Sequence, residues 1–147
     1  MATPTKEQLL HWAEQFVALW NAGEKDAWVA NWRAVAPGDF RMLDPVGTPE
    51  KHGFETCALE GWDLFQSAVR LRHHPGTVYV CANEVAWVME NHFSVHGTER
   101  MSMSVETYRF EPDGSVVIRN YYRLPDSSDG EMAEIFETYQ PTHQPGS

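Results

Sequence analysis

Apolar positions recur with two different periods along this chain. Up to about residue 70 they return every three or four residues. Leu9, Trp12, Phe16 and Leu19 keep helical spacing, with Ala13 and Trp20 widening the stripe, which predicts a helix over residues 5–22. Thr5 and Gln8 fit a capping box at its start, and Gly23 fits its stop. Trp28 and Trp32, one turn apart, predict a second helix from about Glu24 to Arg33, ended by Pro37 and Gly38. A short strand, Phe40 to Asp44, follows. Beyond the turn "PVGTPEKHG", a third helix is predicted over roughly Gly53–Arg70, with Phe54, Leu59, Trp62, Phe65 and Val69 as its apolar set.

After "HHPG" the period drops to two. "TVYVCA", "EVAWVMENHFSV", "RMSMSVETYRF" and "SVVIRNYYRL" read as four strands, joined by the hairpin turns "AN", "HGTE" and "EPDG". Helices first and an antiparallel meander afterwards make an α+β layout, and a curved sheet wrapped over the helices buries this pattern. From Pro125 the chain is polar until "SDGEMAEIFETY". There Ser128 and Glu131 fit a capping box, and Met132, Ile135, Phe136 and Tyr139 predict a short amphipathic helix. The chain therefore divides into a main domain, 1–124, and a C-terminal extension, 125–147, whose last eight residues read as frayed.

Composition narrows the function classes. The 147 residues suffice for one domain with a real core, and 42% hydrophobic residues place the chain among globular proteins. A net charge of −10 argues against nucleic acid or an anionic membrane as partner, because phosphate binding is driven by Lys and Arg. The longest apolar runs, "FVALW" and "VAWVM", are too short to cross a bilayer, and the polar N-terminus does not read as a signal peptide. Cys57 and Cys81 have no C-x-x-C spacing and read as core thiols, so a reducing cytoplasm is the expectation. His92 and His96 are about 13 Å apart if both lie on one strand, too far to share an ion, so no metal is expected.

The chemically distinctive stretch is "FRMLDPVGTPEKHG". Side chains alternate along a strand, so Asp44 shares a face with Phe40 and Met42. A carboxylate set at the end of an apolar face is suited to take protons, and Pro45 ends strand pairing there. Asp before Pro also caps turns, and spacing alone leaves both readings open.

"DPVG" followed by a proline and then a glycine resembles the catalytic loop of the ketosteroid isomerases, within the nuclear transport factor 2-like superfamily that also holds the SnoaL-like cyclases. The similarity runs through "ANEVAWVMENHFSVHG" and "VETYRF" to "DGSVV", covering roughly residues 8 to 123. It implies a cone-shaped α+β domain: a strongly bent antiparallel sheet over three helices, here with a short extra C-terminal helix, and often a dimer through the sheet's outer face. It also implies catalytic roles for Asp44, as general base, and for Glu106, as a protonated donor to an enolate oxygen. The family's helix-one tyrosine is matched by Phe16, which has no donor.

The remaining substrate-binding positions that the resemblance implies are Met89, Asn91, Phe93, Ser104, Arg119 and Tyr121, with Ser102 and Arg123 beside them; Trp20 and Trp62, otherwise core tryptophans, are candidates for the pocket mouth. Arg119 on that wall suggests an anionic substrate, or a structural pair with Glu106. The last strand offers a competing face, since Val116, Ile118 and Tyr122 also alternate.

Together these readings predict a cofactor-free proton-transfer enzyme acting alpha to a carbonyl, an isomerase or aldol-type cyclase, on a small substrate more polar than a steroid. The alternatives are a non-catalytic ligand-binding domain, or a lyase, hydratase or hydrolase using the same pocket. A homodimer through the outer sheet face is expected. With Ser102, Ser104 and Glu106 facing in, Met101 and Met103 face out as an apolar patch.

Overall fold

The computed structural model describes residues 2–140. Helix α1 (Lys6–Ala22) starts on the capping box: Gln8 N donates to Thr5 Oγ1 at 3.1 Å, and Thr5 N donates to Gln8 Oε1 at 2.8 Å. Gly23 ends the helix in the left-handed conformation. Helix α2 (Lys25–Val35) turns Trp28, Trp32 and Val35 into the core. Trp12 is the hub between the helices and the sheet, with ring centroids 4.9–5.7 Å from Phe16, Trp32, Trp87, Tyr108 and Phe110.

Strands β1 (Phe40–Leu43) and β2 (Lys51–His52) come next, then a helix that opens as a π-helical turn, Glu55–Leu59, and continues as α3 (Glu60–Phe65). This third helix is shorter than predicted. Its C-terminal apolar residue, Val69, leads instead into β3 (Arg70–His73), which joins β4 (Tyr79–Cys81), β5 (Glu84–Val95), β6 (Thr98–Phe110) and β7 (Val116–Tyr121). The seven strands order as β2-β1-β7-β6-β5-β3, with β4 on the same edge of β5 as β3.

The sheet is mixed rather than wholly antiparallel. The four residues of β1 align parallel to β7, from Phe40 opposite Val116 to Leu43 opposite Arg119. No hairpin joins β1 to β7, so no turn forces that pair to be antiparallel, while β2 runs antiparallel on the other edge of β1. The β5–β6 ladder, Glu84 opposite Arg109 through Val95 opposite Thr98, is the spine that carries the site.

The C-terminal extension folds onto the same layer. Asp126, not Ser128, caps a 3-10 turn at Ser127–Asp129, and α4 (Glu131–Tyr139) starts at Gly130 without a side-chain cap. Buried Asp129 is held by Arg123 Nη2 at 3.2 Å and Arg100 Nη2 at 3.5 Å. Met132 then joins Val69, Phe93 and Val95 in an apolar cluster separate from the main core. Lys51 Nζ lies 3.3 Å from the Tyr139 ring centroid and 3.4 Å from its carbonyl oxygen, so a cation closes the C-terminal end of α4. The residues read as frayed lie, Gln140 excepted, outside the described chain.

Cys57 is buried, and burial pushes its thiol up to about 12. Cys81 is exposed rather than in the core, because β4 lies at the sheet edge and residue 81 is on its outer side.

Candidate active site

Between the helical layer, α4 and the inner face of the sheet lies a cavity of about 200 Å³. Its wall includes Phe16 and Trp20 from α1, Trp28 and Trp32 from α2, and Trp62 from α3. The sheet adds Asn91 and Phe93 from β5 and Ser102, Ser104 and Glu106 from β6, and Met132, Phe136 and Tyr139 of α4 cover it. Asp44 enters at the end of β1, just before a cis Asp44–Pro45 peptide, and is 9% exposed.

Of the three carboxyl groups lining this aromatic cavity, Asp129 is paired with Arg123 and Arg100, and Asp44 and Glu106 are each held differently. Asp44 Oδ2 accepts a hydrogen bond from the Tyr139 hydroxyl. Burial first, and the Asp44 charge second, drive the Tyr139 phenol well above its ordinary range, so it stays protonated and donates. Tyr122 is pushed up by the same two causes, and Gln140 Nε2 reaches its hydroxyl at 3.4 Å.

Glu106 is ringed by donors. Trp87 Nε1 donates to Oε1 at 2.7 Å, the Tyr108 hydroxyl donates to Oε1 at 2.9 Å, and Ser104 Oγ donates to Oε2 at 2.8 Å. Asn91 Nδ2 donates in turn to Ser104 Oγ at 3.1 Å. Desolvation outweighs these donors and raises the Glu106 carboxyl above the ordinary carboxylate range, with the Asp44 charge adding to the rise. The carboxyl borders the cavity. These two titratable groups sit in different surroundings, one raised by burial among three donors and one accepting a phenol's hydrogen bond.

Eight of the sequence-derived positions stand on this wall: Asp44, Glu106, Phe16, Trp20, Trp62, Asn91, Phe93 and Ser104. Three do not. Met89 is completely buried in the core, outside the cavity lining. Arg119 and Tyr121 lie on the outer face of the sheet, where Arg119 Nε donates to the Tyr121 hydroxyl at 3.3 Å.

The β6–β7 register is the reason: Glu106 opposes Asn120, so Asn120 rather than Arg119 shares its face. An Arg119–Glu106 pair is thereby ruled out. Arg123 does reach the cavity lining, but Asp126 and Asp129 pair it at 3.2 Å each. The competing alternation through Val116 and Ile118 gave the correct face, and it leads to Asn120 and Tyr122. Tyr139 and Asn120 had no sequence signal as site residues. Tyr139 looked like an ordinary apolar position of a terminal helix, and Asn120 sat one place from a more conspicuous arginine.

No family model and no curated protein matches the chain. Solved structures do. Rv0760c from Mycobacterium tuberculosis matches at 21% identity and a TM-score of 0.59, over 83% of this chain and 96% of that one. It has also been solved in complex with estradiol-17β-hemisuccinate. A SnoaL-like polyketide cyclase from Jannaschia sp. CCS1 matches at 17% identity and TM-score 0.62, over 84% and 91% of the two chains. SalBIII, an epoxide hydrolase/cyclase-like enzyme of pyran ring formation in salinomycin, matches at 18% identity and TM-score 0.62, over 84% and 95%. The chain thus shares with these three proteins one fold, a curved sheet wrapped over helices.

Proposed function

We propose that this protein is a cofactor-free enzyme that moves a proton at a carbon alpha to a carbonyl, as an isomerase or an aldol-type cyclase. The observation that carries the reading is the pairing of two carboxyl groups, Asp44 and Glu106, in one aromatic cavity, with Glu106 pushed towards its neutral form.

In this reading Asp44 takes the alpha proton. The C–H bond breaks and its electron pair moves onto the carbonyl oxygen, giving an enolate. Neutral Glu106 donates a hydrogen bond to that oxygen, and Trp87, Tyr108 and Ser104 fix the direction of its carboxyl. Tyr139 holds Asp44 in place. The proton then returns from Asp44 to another carbon in an isomerisation. In an aldol closure the enolate carbon attacks a second carbonyl and the resulting alkoxide takes the proton. Phe16 supplies no donor, so oxyanion stabilisation rests on Glu106.

The test is isomerisation of 3-cyclohexen-1-one to its conjugated isomer, followed by the ultraviolet absorbance of the product. Acceleration over buffer is expected, with a loss of about 10²–10⁴-fold in Asp44→Asn, the usual contribution of a positioned base. No acceleration, or an unaffected Asp44→Asn, refutes the reading. A ligand-binding domain without chemistry is the second reading, favoured by the fact that Tyr139 already occupies an Asp44 oxygen. Ligand binding without isomerisation would establish it.

The assembly belongs to the same proposal. Met101, Met103, Val105 and Tyr121 are 43–45% exposed on the outer sheet face, and a homodimer through that face would bury them.

A further inference from the structure

Asn120 on β7 stands directly opposite Glu106 on β6, and both line the cavity. Directly opposed side chains on neighbouring strands begin about 5 Å apart. The two are treated very differently. Glu106 has three donors on its oxygens, whereas Asn120 is 8% exposed and its Oδ1 has no hydrogen-bond partner among the described residues. A buried amide oxygen without a donor is costly, and native proteins leave few of them.

The charge of the wall limits what brings that donor. The only cation among the described lining residues is Arg123, already paired with Asp126 and Asp129, while the Asp44 carboxylate faces in. An anion is disfavoured there. The volume of about 200 Å³ also lies below the roughly 300–1,000 Å³ of sites that take drug-sized ligands.

We propose that Asn120 is a specificity-determining residue that accepts a hydrogen bond from a ligand hydroxyl, and that the site takes small neutral hydroxy ketones. The hydroxyl lies one or two carbons from the carbonyl, as suits two side chains that begin about 5 Å apart on neighbouring strands. This rests on the reading above that the ligand's carbonyl sits at Glu106.

The probes are 2-hydroxy-1-tetralone and its parent 1-tetralone, titrated against the tryptophan fluorescence of the full chain, since four tryptophans line the cavity. The unmodified protein is expected to bind the hydroxy ketone about tenfold more tightly, the value of one well-made hydrogen bond to a buried acceptor. Asn120→Leu is expected to bring the ratio to about one. Asn120→Ala does the same without filling the cavity, and undiminished binding of 1-tetralone shows that either variant has folded. Equal affinity for the two probes overturns the proposal. So does a preference that survives both substitutions, or failure of both probes to bind. The preference with no isomerisation of 3-cyclohexen-1-one supports Asn120's role while refuting the proposed reaction; isomerisation with no preference does the reverse.

Discussion

Glu106 is the residue whose surroundings carry the clearest thermodynamic consequence. Burial raises its carboxyl above the ordinary Glu value, about 4.3 in peptides. A group with a raised folded-state pKa binds its proton more tightly when folded, so its stabilising contribution is complete below the unfolded value. That contribution is lost as the pH rises towards the folded value. Glu106→Gln, which cannot ionise, lacks this dependence. Urea unfolding at a series of pH values should show the unmodified protein falling in stability relative to Glu106→Gln as the pH climbs from 4 towards neutrality. A constant difference between the two would mean that the carboxyl binds its proton equally well folded and unfolded. At this scale the sequence was legible where alternation was unambiguous. Phe40, Met42 and Asp44 share a face in the sequence and in the structure, because a four-residue strand with one apolar side has only one way to bury it. Arg119 and Asn120 were not separable in this way. Their strand follows a hairpin turn, and only the turn's register decides which of two adjacent residues faces in.

The fourth helix is the element for which sequence and structure differ most in meaning. Its amphipathic pattern was readable, but the target of its apolar face was not, because that face is completed by Val69, Phe93 and Val95 from two distant strand regions. Its entry depends on Gly130, which has φ +59° and would place a Cβ 2.8 Å from Val95 Cγ1. Gly130→Ala should cost about 1–3 kcal/mol in urea unfolding, the range for a residue forced into a sparsely populated backbone region. It should also speed proteolysis within α4 and slow isomerisation, since Tyr139 would no longer be held on Asp44. Unchanged proteolysis and activity would show that α4 is positioned by Arg123, Arg100 and Asp129 alone. The π-helical opening of the third helix had no sequence signal; an apolar set at roughly helical spacing fits an α-helix and a π-helical turn alike.

Over the whole molecule, the facing of β6 sets how the chain meets another copy. Met103 opposes Glu90, and Met101 opposes His92, on the outer face. Glu90 is only 5% exposed there, bonded by His74 Nδ1 at 2.8 Å and His92 Nε2 at 2.9 Å, and these two bonds hold its carboxyl below the ordinary range. The patch therefore presents methionines beside a carboxylate already satisfied within its own chain, which a second copy can cover without a partner charge. Light scattering should find a dimer, and Met103→Glu should split it by burying an unpaired charge. Met101→Glu should split it as well, and because it faces His92 rather than Glu90 it adds no repulsion within one chain. Monomers of the unmodified protein at high concentration would leave the patch without the occupant proposed for it.

Tyr139 is bound to Asp44 by its hydroxyl while its own helix forms one wall of the cavity. Covering and base are thus parts of a single mechanical unit. A ligand that fits beneath α4 leaves the phenol in place and meets a tethered carboxylate. One that is too bulky must lift helix and phenol together, and it meets a carboxylate left with Tyr122. Ligand size alone then decides whether the carboxylate keeps the phenol of the covering helix.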